Sequence, residues 1–274
     1  MKAFIVDPGE TWNNYHTHTY RCDHASGDVE DYVMRASSLG MSKIGISEHA
    51  WIPGSGNQVF RMREEAVPDY VLSCRSADAA HGDVKVLCGV ECDYDPSDER
   101  RIREYYLDEL GLDYLVGSVH ELKNGKDVMD CFANRHFGVR ELRIYMDLYV
   151  KMIGSGLFTF CAHPDLFGRP IELGEDAPGW DLNAQAAARE ILEAAREHQE
   201  VLEMNVSGVW KTHHKGYALV IYPRWQFWEM ASDYDIRVIL NTDAHSPERL
   251  DAFTDYGLDL IRRYGLKRVE LERD

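Results

Sequence analysis

The chain has 274 residues, with 47 acidic against 30 basic side chains, a net charge of −17 and 45% hydrophobic content. That balance excludes a general binder of nucleic acid or of anionic membranes, while the apolar share is ordinary for a globular protein with a proper core. No run of about 18 apolar residues is present to span a bilayer, and the apolar stretch in Met1–Val6 is too short for a signal peptide, so a cytoplasmic location is expected.

In chain order, Asn13–His18 reads as a first strand. A helix over Val29–Leu39 follows, led by Ser26-Gly27-Asp28 and stopped by Gly40. Lys43–Ser47 is a second strand ending in Glu48-His49. A loop with Pro53, Gly54 and Gly56 leads to a helix from Pro68 to Ala80. Val84–Val90 is the third strand, running to Glu91, and Ile102–Leu110 is helical. Tyr114–Val119 is the fourth strand, ending in His120. A polar excursion over 121–137 precedes a helix over 138–154, and Phe158–Ala162 is a fifth strand ending in His163. A loop rich in Gly, Pro and acids covers 167–181, then an alanine-rich helix covers Asn183–Glu197. Val201–Asn205 is the sixth strand, and 207–221 reads as another polar loop. A Trp-rich helix over 223–233 leads to the seventh strand, Ile236–Leu240, followed by Thr242-Asp243-Ala244-His245. Pro247 starts the last helix, and Leu266–Leu271 closes the chain as a strand or tail.

Regular βα alternation without an internal linker predicts one domain, 1–274, built on a parallel sheet. His16 and His18 stand two apart at a strand end, where alternation puts both rings on one side, and His24 follows closely. His49, Glu91, His120, His163, Glu203, Asn205, Asp243 and His245 also fall at C-terminal strand ends. A closed α/β barrel gathers those ends at one mouth. A doubly wound sheet would spread them along a crevice and would carry a Gly-rich turn after its first strand, which His-Thr-His-Thr is not. So many imidazoles and carboxylates at one mouth exceed what a single ion needs. They imply two or three divalent ions, with Zn, Fe and Mn all suited to mixed His/carboxylate ligation. The six cysteines (22, 74, 88, 92, 131 and 161) make no Cys-x-x-Cys pair and read as buried reduced thiols.

The ordered segments His16-Thr-His18, Cys22-Asp23-His24, Ile46-Ser-Glu48-His49-Ala50, Gly89-Val-Glu91-Cys-Asp93-Tyr94, Gly117-Ser-Val-His120, His163-Pro-Asp165, Glu203-Met-Asn205-Val-Ser-Gly208 and Asp243-Ala-His245 span nearly the whole chain. Their pattern resembles the polymerase-and-histidinol-phosphatase (PHP) superfamily, and within it the PHP-type histidinol-phosphatases. The resemblance implies a distorted (β/α)7 barrel and a trinuclear metal centre that hydrolyses phosphomonoesters with a metal-bridging hydroxide. Carried over by position, it places one ion on His16, His18, Glu91 and Asp243. A second falls on Glu91, His120 and His163, and a third on His24, His49 and His245. Asp23, Glu48 and Asp165 become candidates for orienting ligand rings or handling protons, and Asp165 or a water held by His245 for protonating the leaving group.

The implied substrate is a small phosphorylated metabolite, histidinol phosphate first. Another small phosphate such as a nucleotide or sugar phosphate, or a non-catalytic or proofreading module, is the alternative. Phosphate recognition is expected from Arg169 and from either Lys211 or Arg224, because basic residues generally occupy these two loops in histidinol-phosphatases. His213, His214, Arg61, Arg63, Asp127, Asp130 and His136 are expected to face solvent. Tyr222, Trp225, Phe227 and Trp228 lie at helical spacing and are expected in the core. The native metal and the oligomeric state are open at this point.

Overall fold

A computed structural model describes residues 1–7, 12–52, 60–124, 127–131, 138–168, 180–216 and 220–273. The strands are β1 (Lys2–Ile5), β2 (Lys43–His49), β3 (Lys85–Asp93), β4 (Tyr114–Ser118), β5 (Glu121–Asn124), β6 (Asp127–Asp130), β7 (Phe160–Cys161), β8 (Val201–Asn205), β9 (Arg237–Asn241) and β10 (Lys267–Glu272). The helices are α1 (Val29–Ser38), α2 (Val67–Ala80), α3 (Glu99–Ile102), α4 (Val139–Gly154), α5 (Leu182–His198), α6 (Ser207–Lys215), α7 (Trp225–Ala231) and α8 (Thr254–Tyr264).

The main sheet runs β1-β10-β9-β8-β7-β4-β3-β2, parallel from β10 to β2, with β1 antiparallel to β10. Its continuous ladder does not close. Residues 13–19 span the gap, where Asn14 bridges Ile44 of β2 and Thr17 bridges Ala244 just beyond β9, both in parallel. The expected first strand is therefore irregular, and side-chain competition is the reason. The amide of His16 donates to Asn14 Oδ1, that of Tyr15 to Asn241 Oδ1 and that of Thr17 to Ser47 Oγ, so ladder donors are diverted to side chains. That segment, with β2, β3, β4, β7, β8 and β9, makes the distorted (β/α)7 barrel.

Inward side chains of the strands build a floor beneath the mouth. Tyr15, Leu87, Tyr114, Val116, Phe160 and Ile239 form one buried cluster, closed on the opposite side by Val269 and Leu271 of β10. Tyr114 lies against β2 and β3, where side chains would obstruct it. A Cβ on Gly89 would sit 2.5 Å from its ring, and one on Gly45 would sit 2.8 Å from Tyr15 Cα. The Tyr114 hydroxyl donates to Tyr15 O at 2.8 Å, tying the irregular segment to the floor.

Outside, helices cover the sheet with apolar stripes. In α5, Ala184, Ala187, Ala188, Ile191, Leu192 and Ala195 recur at three- and four-residue spacing and are buried. Asp181 caps that helix by accepting from the amides of Asn183 and Ala184, both at 2.9 Å. Burial of each Ile or Leu side chain contributes about 1.5–3 kcal/mol.

The structure corrects several expectations. Strand β1 was not foreseen, because its pairing with β10 joins opposite chain ends and leaves no local signal. The polar stretch after His120 contains the β5–β6 hairpin, with Glu121 opposite Asp130. The stretch after Val206 forms α6 rather than a loop. Ile102–Leu110 is mostly a π-helix over Arg103–Glu109. Pro247 opens only the 3-10 turn Pro247–Arg249, and α8 begins at Thr254. Trp225 is exposed, whereas Tyr222, Phe227 and Trp228 are buried as expected. All six cysteines are buried and free. Among the described residues, no helix is long and apolar enough to cross a membrane.

Candidate metal centre

Alternation explains most of the ring placement. In β3, Leu87 belongs to the inner cluster, so Glu91 and Asp93 follow in phase toward the mouth. In β4, Tyr114 and Val116 are inward, so His120 is in phase too. His163 breaks the rule, because Phe160 and Ala162 already occupy the inner face of β7. A left-handed backbone at His163 (φ 33°) turns its ring inward, and Asp243 also has positive φ (47°). Such conformations are costly for residues with a Cβ and concentrate at functional sites.

Three sets of ligand atoms result. In the first, His18 Nε2 lies 3.1 Å from Asp243 Oδ1 and 3.5 Å from Glu91 Oε2. His16 Nε2 lies 3.3 Å from Glu91 Oε2 and 3.7 Å from Asp243 Oδ1. In the second, His163 Nε2 and His120 Nε2 stand 3.2 and 3.4 Å from Glu91 Oε1, and 3.1 Å from each other. Glu91 thus presents one oxygen to each set. In the third, His24 Nε2 and His245 Nε2 are 3.0 Å apart. His49 stands between the first and third sets, stacked on both His18 and His24 and 3.0 Å from Glu91 Oε2 through Nδ1.

The surrounding groups fix tautomers. Glu203 Oε1 takes the Nδ1 proton of His16 at 2.7 Å and also accepts from Asn241 Nδ2 at 2.9 Å. Its other oxygen accepts from the His163 amide at 3.1 Å and from Asn205 Nδ2 at 3.0 Å. Asp93 Oδ1 faces His120 Nδ1 at 3.0 Å. Buried Glu48 accepts from the amides of Thr19 and His49 at 2.8 and 2.9 Å, and lies 3.5 Å from His18 Nδ1. Asp23 instead lies at an exposed turn against Arg63, so it orients no ligand ring.

Taken as protein groups alone, carboxylates and rings compete for protons. Burial opposes charge on His16, but Glu203, Glu91 and Asp243 outweigh it and hold the ring well above the ordinary imidazole value. Burial of His120 is likewise outweighed by Asp93 and Glu91, which push it up to about 10. Burial and the neighbouring His18 push His49 down to about 4. Burial also holds His24 and His245 down, His245 well down. Burial would raise Glu91 and Asp243, yet the imidazoles around them hold both well below the usual carboxylate range.

These residues fit divalent ions. His16 Nε2, His18 Nε2 and Asp243 Oδ1 are buried and make no hydrogen bond, although they converge on Glu91. Buried polar atoms without partners are expensive. Three lone-pair donors aimed at one point are satisfied together by a cation, and neutral imidazole with carboxylate suits zinc and similar metals.

Above the ligands opens a cavity of about 530 Å³. Of the basic candidates, Lys211 lines it, with Nζ 2.6 Å from Tyr222 OH and 3.9 Å from Asp243 Oδ2. Arg224 does not line it and is buried at the start of α7. Arg169 and His136 lie outside the described residues. Asp165 is buried away from the cavity, accepting from the Arg224 amide and from Trp228 Nε1, and burial pushes its carboxyl up to about 6. These bonds tie Asp165 to the start of α7. Arg61, expected in solvent, lines the cavity and pairs with Asp93 and Glu121, while Asp130 lines it and is exposed as expected. Glu203, Asp93 and Arg249 are site residues whose roles the motifs did not assign. The period-two spacing Glu91-x-Asp93 was the available signal for one of them.

The fold and the site define a metal-binding α/β barrel. The PHP domain family matches residues 14–207, and the chain belongs to that family. It is 29% identical over 238 residues to a Deinococcus radiodurans protein named "Probable histidinol-phosphatase", covering 85% of each chain. A Schizosaccharomyces pombe protein of the same name is 21% identical over 263 residues, with 86% of this chain and 81% of the relative covered. The crystal structure of histidinol phosphate phosphatase from Lactococcus lactis, complexed with Zn, L-histidinol and phosphate, superposes with a TM-score of 0.71 at 18% identity. That match covers 94% of this chain and 95% of the other, and shows a shared fold.

Proposed function

We propose that this chain is a metal-dependent phosphomonoester hydrolase that converts L-histidinol phosphate and water to L-histidinol and phosphate. The observation that carries the reading is the convergence of His16, His18, Glu91, His120, His163 and Asp243 on one mouth, with His24, His49 and His245 beside them. Relatives named for this activity, and a similarly folded phosphatase holding zinc, histidinol and phosphate, support it.

His16, His18, Glu91 and Asp243 would hold one ion, Glu91, His120 and His163 a second, and His24, His49 and His245 a third. When bound, divalent ions activate water at neutral pH and offset charge on phosphoryl oxygens. The chain's own groups do the positioning. Glu203 and Asp93 keep the Nδ1 sides of His16 and His120 engaged, so that each Nε2 points to the mouth, and Glu48 stands 3.5 Å from His18 Nδ1. Lys211 brings a cation to the edge of the Asp243 set, where a phosphate would meet it. Across the cavity, Glu121 and Asp130 offer carboxylates to the ammonium end of histidinol. Of the two expected sources of the leaving group's proton, the water would be held by His245, which lines the cavity, whereas Asp165 does not line it.

The test is a phosphate-release panel under defined Zn, Fe and Mn, comparing histidinol phosphate with nucleotide and sugar phosphates. Histidinol phosphate is expected to lead in kcat/KM by about 100-fold or more. Equal or better turnover of a nucleotide or sugar phosphate would shift the assignment to that substrate. Release from none of them would overturn the hydrolase.

A further inference from the structure

Besides the exposed Lys215, the cavity is lined by a half-buried arginine that the ligand set does not explain. Arg249 ends the 3-10 turn Pro247–Arg249, four residues after His245, and lines the cavity. Its backbone position is fixed from both sides. The Arg249 amide donates to Ser246 O at 3.0 Å, while Leu250 O accepts from Asn14 Nδ2 and Thr242 Oγ1, each at 3.1 Å. Its guanidinium lies over the Trp210 ring, 3.8 Å from the centroid, and Trp210 in turn stacks on His214 at 3.9 Å.

Several arginines buried in this chain have carboxylate counter-ions. Arg21 pairs with Asp28 and Asp69, Arg61 with Asp93 and Glu121, and Arg268 with Glu270. Arg249 makes no carboxylate pair among the described residues. Among the described residues, its Nη2 donates to Ser207 Oγ at 3.3 Å, and its Nε is buried without a partner. In a chain with 47 acidic side chains against 30 basic ones, that omission is costly, since a partly buried charge without a partner forfeits hydration. An anion entering the cavity supplies the missing partner. A guanidinium held over an indole offers its remaining N–H groups as a fork suited to two oxygens of one phosphate.

We propose that Arg249, presented on Trp210, is a phosphate-binding residue of this site. It is a third basic position beyond the two loops expected to supply them. This inference rests on the phosphomonoesterase reading. The anion it receives is the phosphoryl group of the substrate and, after hydrolysis, inorganic phosphate.

The test measures inorganic phosphate binding to the zinc-loaded full chain by calorimetry, with zinc content determined in parallel, for the wild type, Arg249→Gln and Arg249→Lys. Arg249→Gln is expected to keep its zinc and lose about tenfold or more in phosphate affinity, the scale of a charged hydrogen-bond pair. Arg249→Lys is expected to fall between, since it keeps the charge but loses the fork. In turnover, the loss should appear in KM more than in kcat. Unchanged phosphate affinity in Arg249→Gln would overturn the proposal, and so would no phosphate binding by the wild type. Should Arg249→Gln not fold, wild-type affinity in Arg249→Lys would overturn it. If phosphate affinity depends on Arg249 while no phosphomonoester is hydrolysed, the hydrolase reading fails and the anion site stands.

Discussion

His24 and His245 face each other through Nε2 at 3.0 Å, and neither nitrogen has a proton to share. His24 Nδ1 donates to Cys22 O at 2.9 Å and His245 Nδ1 to Asp243 O at 3.0 Å. A carbonyl oxygen only accepts, so both protons sit on Nδ1 and two lone pairs point at each other. Burial disfavours charging either ring, which leaves a cation between them as the way to relieve that repulsion. His24→Ala and His245→Ala are each predicted to bind about one fewer metal ion per chain than the wild type. Elemental analysis after exhaustive dialysis reads this directly. Unchanged stoichiometry in both variants would remove the third set.

Glu203 touches no expected ion, yet it grips His16, Asn241, Asn205 and the His163 amide. Glu203→Gln keeps the shape but puts an amide where two carboxylate oxygens each accept two bonds. A loss of roughly 10–100-fold in metal affinity or turnover is predicted. Metal titration alongside steady-state kinetics checks it, and wild-type values in both would show that His16 needs no such support.

Glu200, at the start of β8, supplies a pH-dependent stability term. Burial pushes its carboxyl up to about 7, against the Val201 amide and Arg237, which favour ionisation. Between the ordinary carboxyl value and about pH 7, the native chain keeps this proton and the unfolded chain has lost it. Native stability therefore falls as pH rises through that window. Glu200→Gln removes the titration, so its denaturation midpoint is predicted to decline less than that of the wild type between about pH 5 and 7. Parallel midpoint curves would contradict the assignment.

The barrel was legible because its strands are apolar runs that end in His, Glu or Asp, and all nine expected ligands reach one mouth. What was not legible has physical reasons. Period two puts His163 on the wrong face, and only its left-handed backbone brings the ring in. Asn13–His18 looks like a strand, but Asn14, Asn241 and Ser47 capture the amides that would have built one. Helix α6 carries Ser207, Gly208, Thr212, His213 and His214, weak helix formers whose order comes from packing rather than propensity. That helix brings Trp210 and Lys211 to the cavity, so missing it also hid the platform beneath Arg249. Arg61 read as a surface charge because its partners Asp93 and Glu121 are distant in sequence.

On this reading, ions gathered by these side chains make the mouth a phosphatase. The most direct measurement strips the chain of metal, then follows phosphate release from L-histidinol phosphate while Zn, Fe or Mn is restored stepwise. No release is predicted from the stripped chain, with turnover rising to a plateau at about two to three ions per chain. Full turnover by the stripped chain, or none at saturation with any of the three metals, would contradict it.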